Sequence, residues 1–427
     1  MTKLTITEVE NAFQPAKEVD SATRFAGRKD AISDAYYGLI AAGSHIAIVG
    51  NRGIGKTSLS RQVINMATGD NSLLKKLQLR HDRELDFLSI YFACGQAIRN
   101  TTDLLERLLT STGCLGDWVY DIPKASTIVR GYSPKFSVSV FGAEAALGGE
   151  KRTETTTERA VTVHTIETVF TNAVAAIIEQ NIATDGILIV VDEFDQIEDP
   201  SGFASFLKAL STNVPKVKFC LVGVAQDIQQ LMQEHQSSDR LFAGSIISLP
   251  SMSMDELKEI IAIAEEAVNS QIKFSPEAAE RLAGLAQGHP YMVHLVGKHV
   301  FRHAFQAKKE SIERQDIDDT MRLMAERGAD PVLEARYKKA VASSEQREIV
   351  LKVIAQVQAA DGEIFTTKAY DIASKQGVVY ASQYVGHLAS VEYGGEIRKL
   401  RDRYYRFHDS LFVAYVLARP RLIQRRG

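Results

Sequence analysis

The chain has 427 residues, 45% of them apolar and 24% charged, with a formal net charge of −3. That length exceeds one compact core, so two or three domains are expected, and the near-neutral balance excludes a general pull toward nucleic acid, leaving only local patches. Cys94, Cys114 and Cys220 are scattered without C-x-x-C spacing, which excludes a disulfide framework or zinc site, and no signal-peptide core or bilayer-length apolar run is present, so a cytoplasmic, non-membrane protein is expected.

From about residue 45 to 250, short apolar runs alternate with amphipathic stretches. The runs are Ile46–Val49, Phe87–Phe92, Ile187–Val191, Val217–Val222 and Ser245–Leu249. Strands alternating with helices predict an α/β fold, a doubly wound parallel sheet covered on both faces. The first run opens into GNRGIGKTS, where Gly50, Gly55, Lys56 and Thr57 meet the pattern G-x-x-x-x-G-K-[ST]. Leu59, Val63 and Met66 leave the loop at helical spacing. A strand, a glycine-rich turn and a helix start together make a phosphate site, because glycines let backbone N–H groups converge on an anion. The expected triphosphate contacts are Asn51, Arg52, Gly53, Ile54, Gly55, Lys56, Thr57 and Ser58. Lys56 would reach the outer phosphates and the Thr57 hydroxyl would ligate Mg²⁺.

Residues 120–165 interrupt this alternation. Phe136, Val138 and Val140 alternate with serines, which predicts a β-hairpin insertion, and the run EKRTETTTER closes it. Loop decoration and contact with a ligand or another subunit are both open readings there. The buried run ending in Val191-Asp192-Glu193 places two acids at a strand end. Beside a phosphate loop, Asp192 would hold Mg²⁺ through water, and Glu193 would orient and deprotonate an attacking water. An acid after the metal ligand favours hydrolysis over transfer to a second substrate.

After Pro250 the strand signal vanishes. Ser253 and Glu256 form a capping box, Ser275-Pro276 starts another helix that Gly288 ends, and Pro290 starts a third. The expected division is a core over 1–250, a helical lid over 251–335 and a third unit over 336–427. In the last, a helix, a short strand at Glu363–Phe365, two short helices and two strands around Arg401-Asp402-Arg403 follow the order of a winged helix-turn-helix.

With these motifs placed, the chain resembles P-loop ATPases of the AAA+ and STAND kind, especially compact archaeal initiator-like forms with a C-terminal winged helix. The resemblance covers nearly the whole length and implies sheet order five-one-four-three-two, with ATP and Mg²⁺ as cofactors. Phe25-Ala26-Gly27-Arg28 is similar to the box that lines the adenine pocket in that group. Gln226, after the fourth strand, matches the polar sensor of the γ-phosphate, with Asp227 as its competitor. Arg240 stands where a finger would reach a neighbouring subunit's nucleotide, and a surface arginine paired with Asp239 or Glu234 is the other reading. Gly288-His289-Pro290-Tyr291 looks like the G-x-P turn of STAND ATPases, which sets Pro290 against base and sugar. His408-Asp409 resembles a motif whose histidine touches bound ADP, while Asp409 as a helix N-cap is the alternative.

The expected partners divide on charge. The second short helix of the last unit, around Ser382, Gln383, Tyr384 and His387, holds no Lys or Arg. The final stretch carries Arg398, Lys399, Arg401, Arg403, Arg406, Arg419, Arg421, Arg425 and Arg426 against Asp402 and Asp409. A backbone-tracking DNA contact through Arg398, Lys399, Arg401 and Arg403 and a protein-packing unit with a solvated basic tail stand side by side. The preferred function is an ATP-hydrolysing switch that forms homo-oligomers with ATP and associates with DNA. The alternative is a STAND-like signalling or antiviral-defence ATPase acting on a protein partner.

Overall fold

A computed structural model describes residues 4–95, 98–132, 165–224, 241–242, 244–328, 330–359 and 362–421. Its main sheet holds β1 (Ile46–Gly50), β2 (Phe87–Ala93), β3 (Gly186–Asp192), β4 (Val217–Gly223) and β5 (Ile246–Leu249). All five run parallel, in the order β2-β3-β4-β1-β5. Every residue of β3 and β4 is buried, as a parallel sheet covered on both faces requires.

Successive side chains enter opposite cores. Ile46, Ile48, Leu188 and Val190 join one core with Leu59, Val63 and Met66 of the helix Lys56–Ala67. Ala47, Val49, Ile187, Ile189 and Val191 join the other, with Phe170 and Phe206 from the helices Ile166–Ile178 and Phe203–Asn213. This period of two places helices on both faces of the sheet. The fold is therefore the expected doubly wound α/β P-loop core.

The hairpin expected over 120–165 meets a different start. Residues Pro123–Tyr132 are helical, with Ala125 and Val129 buried one turn apart against the sheet-covering helices. Spacing of four wins here because it buries both side chains on one helical face. The alternating stretch at Phe136–Val140 lies outside the described residues.

Beyond β5, four helices follow: Met254–Ala267, Pro276–Ala286, Pro290–Gln306 and Arg314–Arg327. The short parallel pair β6 (Lys273–Phe274) and β7 (Ser311–Ile312) ties them together. Ser253 and Glu256 form the capping box read from the sequence, and Ser275 caps the next helix. The first helix of the chain, Ile6–Ala12, packs here and not on the sheet. Val9, Ala12 and Phe13 share a core with Val293, Val296 and Phe301.

The remaining elements are the helices Pro331–Val341 and Glu345–Gln356, β8 (Glu363–Phe365), the helices Thr366–Lys375 and Ala381–Ala389, β9 (Ile397–Arg401), β10 (Tyr404–Phe407) and the helix Ser410–Ala418. The strands form an antiparallel sheet in the order β8-β10-β9. Leu351, Ile354, Leu388 and Phe412 continue the same apolar core that holds the helices after β5. No helix among the described residues is long and apolar enough to cross a membrane.

Candidate active site

The loop after β1 turns on glycine. Gly53 and Gly55 hold φ of 71° and 98°, in the left-handed region that side chains resist, and the helix starts directly at Lys56. Its first-turn N–H groups therefore face the loop, free for an anion. The Lys56 ammonium folds back on the same loop, donating to the carbonyls of Gly50 at 3.0 Å and Asn51 at 3.1 Å. Burial lowers its pKa, and Asp195, Asp192 and Glu193 oppose that shift with negative charge.

β3 delivers the acids. Asp192 is 3% exposed at the strand end. Its Oδ1 accepts the Glu193 N–H at 2.8 Å and its Oδ2 accepts the Tyr91 hydroxyl at 2.9 Å. Glu193 then turns through φ 55° and ψ 39°, a left-handed conformation that leaves its side chain exposed while Phe194 is buried beneath.

These groups share one cavity of about 840 Å³. Its walls include Arg52, Gly53, Ile54, Gly55, Lys56, Thr57 and Ser58 from the loop, Asp192 and Glu193 from β3, and Phe25, Ala26, Arg28 and Pro290 at the other end. Gly27 and Asn51 lie just behind that wall and contribute backbone contacts. The Gly27 N–H donates to Glu259 at 2.9 Å, and the Asn51 carbonyl holds Lys56.

Arg28 ties three parts of the molecule. Its backbone N–H donates to Glu256 at 2.7 Å, and its guanidinium donates to the carbonyls of Pro250 at 2.6 Å and Ile54 at 3.1 Å. Lys76 donates to the Phe25 carbonyl at 2.7 Å, fixing the same turn from the core side. Close by, Gly288 adopts φ 80°, and its carbonyl accepts the Met252 N–H at 2.9 Å. Pro290 then begins its helix beside Gly55.

His408 stands elsewhere. It is exposed, does not line the cavity, and its N–H donates to the Glu396 carbonyl at 3.0 Å. Asp409 beside it accepts the Leu411 N–H at 2.9 Å and an Arg336 N–H at 2.6 Å. Of the two readings of this pair, the helix cap is the geometry present, because the strand end of β10 points the histidine outward. Gln226, Asp227 and Arg240 lie outside the described residues.

Among the residues that sequence reasoning missed, Asp195 and His294 line the cavity, and Tyr91 holds Asp192 without lining it. Asp195 lies against the end of β4, its Oδ1 3.1 Å from where a Cβ on Gly223 would stand. His294 lines the cavity from the helix Pro290–Gln306; its Nδ1 accepts the Gln14 N–H at 3.4 Å, and burial lowers its pKa to about 4, so the ring is neutral near pH 7. Tyr91 was hidden within an apolar strand run. A hydroxyl at the carboxyl end of a parallel strand was the available signal, since ligands gather at that edge.

Thr57 and Asp192 supply a hydroxyl and a buried carboxylate to one cavity, a hard-oxygen set that suits Mg²⁺ shared with phosphate oxygens. The chemistry this arrangement can perform is anion capture by the loop, cation capture by the strand end, and activation of water by an exposed acid.

The comparison with known families agrees with a nucleotide-hydrolysing protein. The sequence model of the family described as Novel STAND NTPase 1 matches residues 12–321. No curated protein matches. Among solved structures, the chain is similar to a Walker-type ATPase of Pyrococcus abyssi, at 13% identity and TM-score 0.52, covering 94% of this chain and 98% of that one. It is also similar to the ORC2 protein of Aeropyrum pernix, at 14% identity and TM-score 0.44, covering 91% and 92%. Cdc6p of Pyrobaculum aerophilum follows at 12% identity and TM-score 0.44, covering 95% and 97%. At these identities the first likeness shows a shared fold.

Proposed function

The chain belongs to the novel STAND NTPase 1 family, and we propose that its nucleotide is ATP and that hydrolysis works a conformational switch. The observation that carries this is the convergence of Lys56, Thr57, Asp192 and Glu193 on one cavity. Lys56 exchanges the Gly50 and Asn51 carbonyls for the outer phosphates, a trade of neutral acceptors for charged ones that favours the ligand. Thr57 and Asp192 hold Mg²⁺, which when bound neutralises charge on the phosphates. Glu193 orients and deprotonates the attacking water. Phe25, Ala26 and Pro290 close on base and sugar. Gln226 as γ-phosphate sensor and Arg240 as a finger toward a neighbouring copy complete the proposed set.

The test is direct. Lys56→Ala should abolish ATP binding measured by calorimetry; undiminished affinity would overturn the reading. Competition between ATP and GTP checks the base.

The proposed division is a core to residue 250, a lid over 251–335 and a winged helix over 336–427, with the helix Ile6–Ala12 lent to the lid. The output admits two readings. DNA contact would run along Arg398, Lys399 and Arg403, which are exposed on the strands and turn of β9 and β10. Against it, Arg401 is committed to Glu363 at 2.9 and 2.6 Å. Arg419 is 3% exposed and bound to Glu334. Exposed Val379 and Tyr380, beside the helix that would read a groove, favour a protein partner. Particle size in ADP, in a non-hydrolysable ATP analogue, and with DNA added to each, separates the two. ATP-dependent growth without DNA supports a protein switch acting through homo-oligomers, and growth only with DNA supports the DNA-associated form.

A further inference from the structure

Asp192 is aimed by a line of side chains that no reading of the phosphate loop requires. Tyr91 lies on β2, whose pairing sets Ala93 opposite Asp192, and its hydroxyl reaches the Asp192 Oδ2 at 2.9 Å. The Arg61 guanidinium, from the helix Lys56–Ala67, covers the Tyr91 ring at 3.6 Å from its centroid. Arg61 Nη2 in turn meets Glu18 Oε1 at 3.0 Å. Glu18 belongs to the segment that runs over the cavity from Gln14, whose N–H donates to His294, to Val19, whose N–H donates to the Ser58 hydroxyl at 3.0 Å.

Resting on the metal role of Asp192 given above, we propose that Tyr91 is a positioning residue for that carboxylate, steadied by Arg61 and Glu18, so that Mg²⁺ affinity is set partly by the segment 14–19. A carboxylate oxygen held by a hydroxyl keeps its remaining lone pairs in a fixed direction, toward the cavity. Outer contacts of this kind orient metal ligands and tune their affinity. The three links are not equal. The Tyr91 hydroxyl donates to a buried charge, which makes a strong bond. The Arg61–Glu18 pair has side chains 29% and 34% exposed, so water weakens it. The order of effect is Tyr91, then Arg61, then Glu18.

The experiment is binding of a fluorescent ATP analogue to the full chain, titrated with Mg²⁺ and repeated in EDTA. Tyr91→Phe keeps the ring for Arg61 and removes only the donor. It should raise the Mg²⁺ midpoint by roughly 10- to 100-fold and leave affinity in EDTA unchanged. Arg61→Gln should shift the midpoint the same way by less. In an Asp192→Asn background Tyr91→Phe should add nothing, because its partner charge is gone. An unchanged midpoint in Tyr91→Phe, or an equal loss with and without Mg²⁺, overturns the proposal while the nucleotide reading stands. If Tyr91→Phe does not fold, an unchanged midpoint in Arg61→Gln overturns it. A parent protein whose nucleotide binding ignores Mg²⁺ overturns the metal role itself, and the proposal with it.

Discussion

Glu193 holds a left-handed backbone, φ 55° and ψ 39°, immediately after a fully extended buried strand. For a residue with a Cβ that conformation costs of order 1–3 kcal/mol. The turn separates two adjacent acids: Asp192 stays 3% exposed at the strand end while the Glu193 side chain is exposed at the cavity. Glu193→Gln keeps shape and turn but removes the base. We expect nucleotide affinity within a factor of two and single-turnover phosphate release slower by about 10²- to 10⁴-fold; equal rates would show that this acid is not the base. The loop and the acid pair were legible because their spacing is local, fixed by consecutive residues. Asp195 and Tyr91 were not: Asp195 lies against the end of β4 only once β3 and β4 have paired, and Tyr91 meets Asp192 only through the register of β2 on β3. His294 arrives only once the lid helix Pro290–Gln306 has packed.

Elements carry polar anchors that apolar runs conceal. His45, just before β1, is fully buried; its Nδ1 accepts the Phe219 N–H at 3.1 Å, and its Nε2 faces the Ser211 hydroxyl at 2.8 Å. A second proton would set N–H against N–H, and burial lowers the pKa to about 4. Because the folded value lies below the unfolded one of 6.5, the unfolded chain binds more protons between them, so stability falls as pH drops from 6.5 to 4. The loss attributable to His45 is about 3 kcal/mol once pH is below both values. Melting temperature should therefore fall as pH drops through that window in the parent, and fall less steeply in His45→Gln, where His294, lowered to about 4 in the same way, keeps part of the slope. The strands themselves were readable from their apolar runs, yet Lys218, inside the fourth, was not: it caps the helix Lys29–Ile40 through the carbonyls of Gly38, Ala41 and Ser44. The expected core over 1–250 takes in the residues of the first helix, Ile6–Ala12, for which the sequence reading placed no element. Phe13, which follows it, packs so closely on the helix Pro290–Gln306 that a Cβ on Gly297 would lie 2.7 Å from its ring. Gly297→Ala should cost about 1–3 kcal/mol by overpacking, with earlier proteolysis near residue 13 as its signature; an unchanged digest would mean the ring has room to move.

At the scale of the molecule, the sheet and the later helices keep separate apolar cores, and the helices from Met254 to Arg327 share theirs with the elements from Pro331 to Ala418. The last helix, Ser410–Ala418, closes the circuit back to the phosphate loop, with a Leu411 methyl 3.1 Å from where a Cβ on Gly53 would stand. A buried ionic knot anchors the other end of the same helix. Glu334 accepts from Arg419 at 2.8 and 2.9 Å and from the Tyr415 hydroxyl at 2.6 Å, and Tyr337 donates to Glu348 at 2.7 Å. Arg419 and Glu334 side chains are each 3% exposed, so neither can turn to water if its partner goes. Removing one member of such a pair costs about 3–5 kcal/mol, whereas replacing both with apolar residues is often neutral. Arg419→Met should thus loosen the last helix, and pairing it with Glu334→Leu should restore much of the loss. Thermal unfolding measures the stability, and release rate of a fluorescent nucleotide reports whether Leu411 still reaches the loop. If Arg419→Met lowers the melting temperature but leaves nucleotide release untouched, the C-terminal helix stabilises the fold without governing the site; if both change and both recover in the double variant, packing of that helix and retention of nucleotide are one equilibrium.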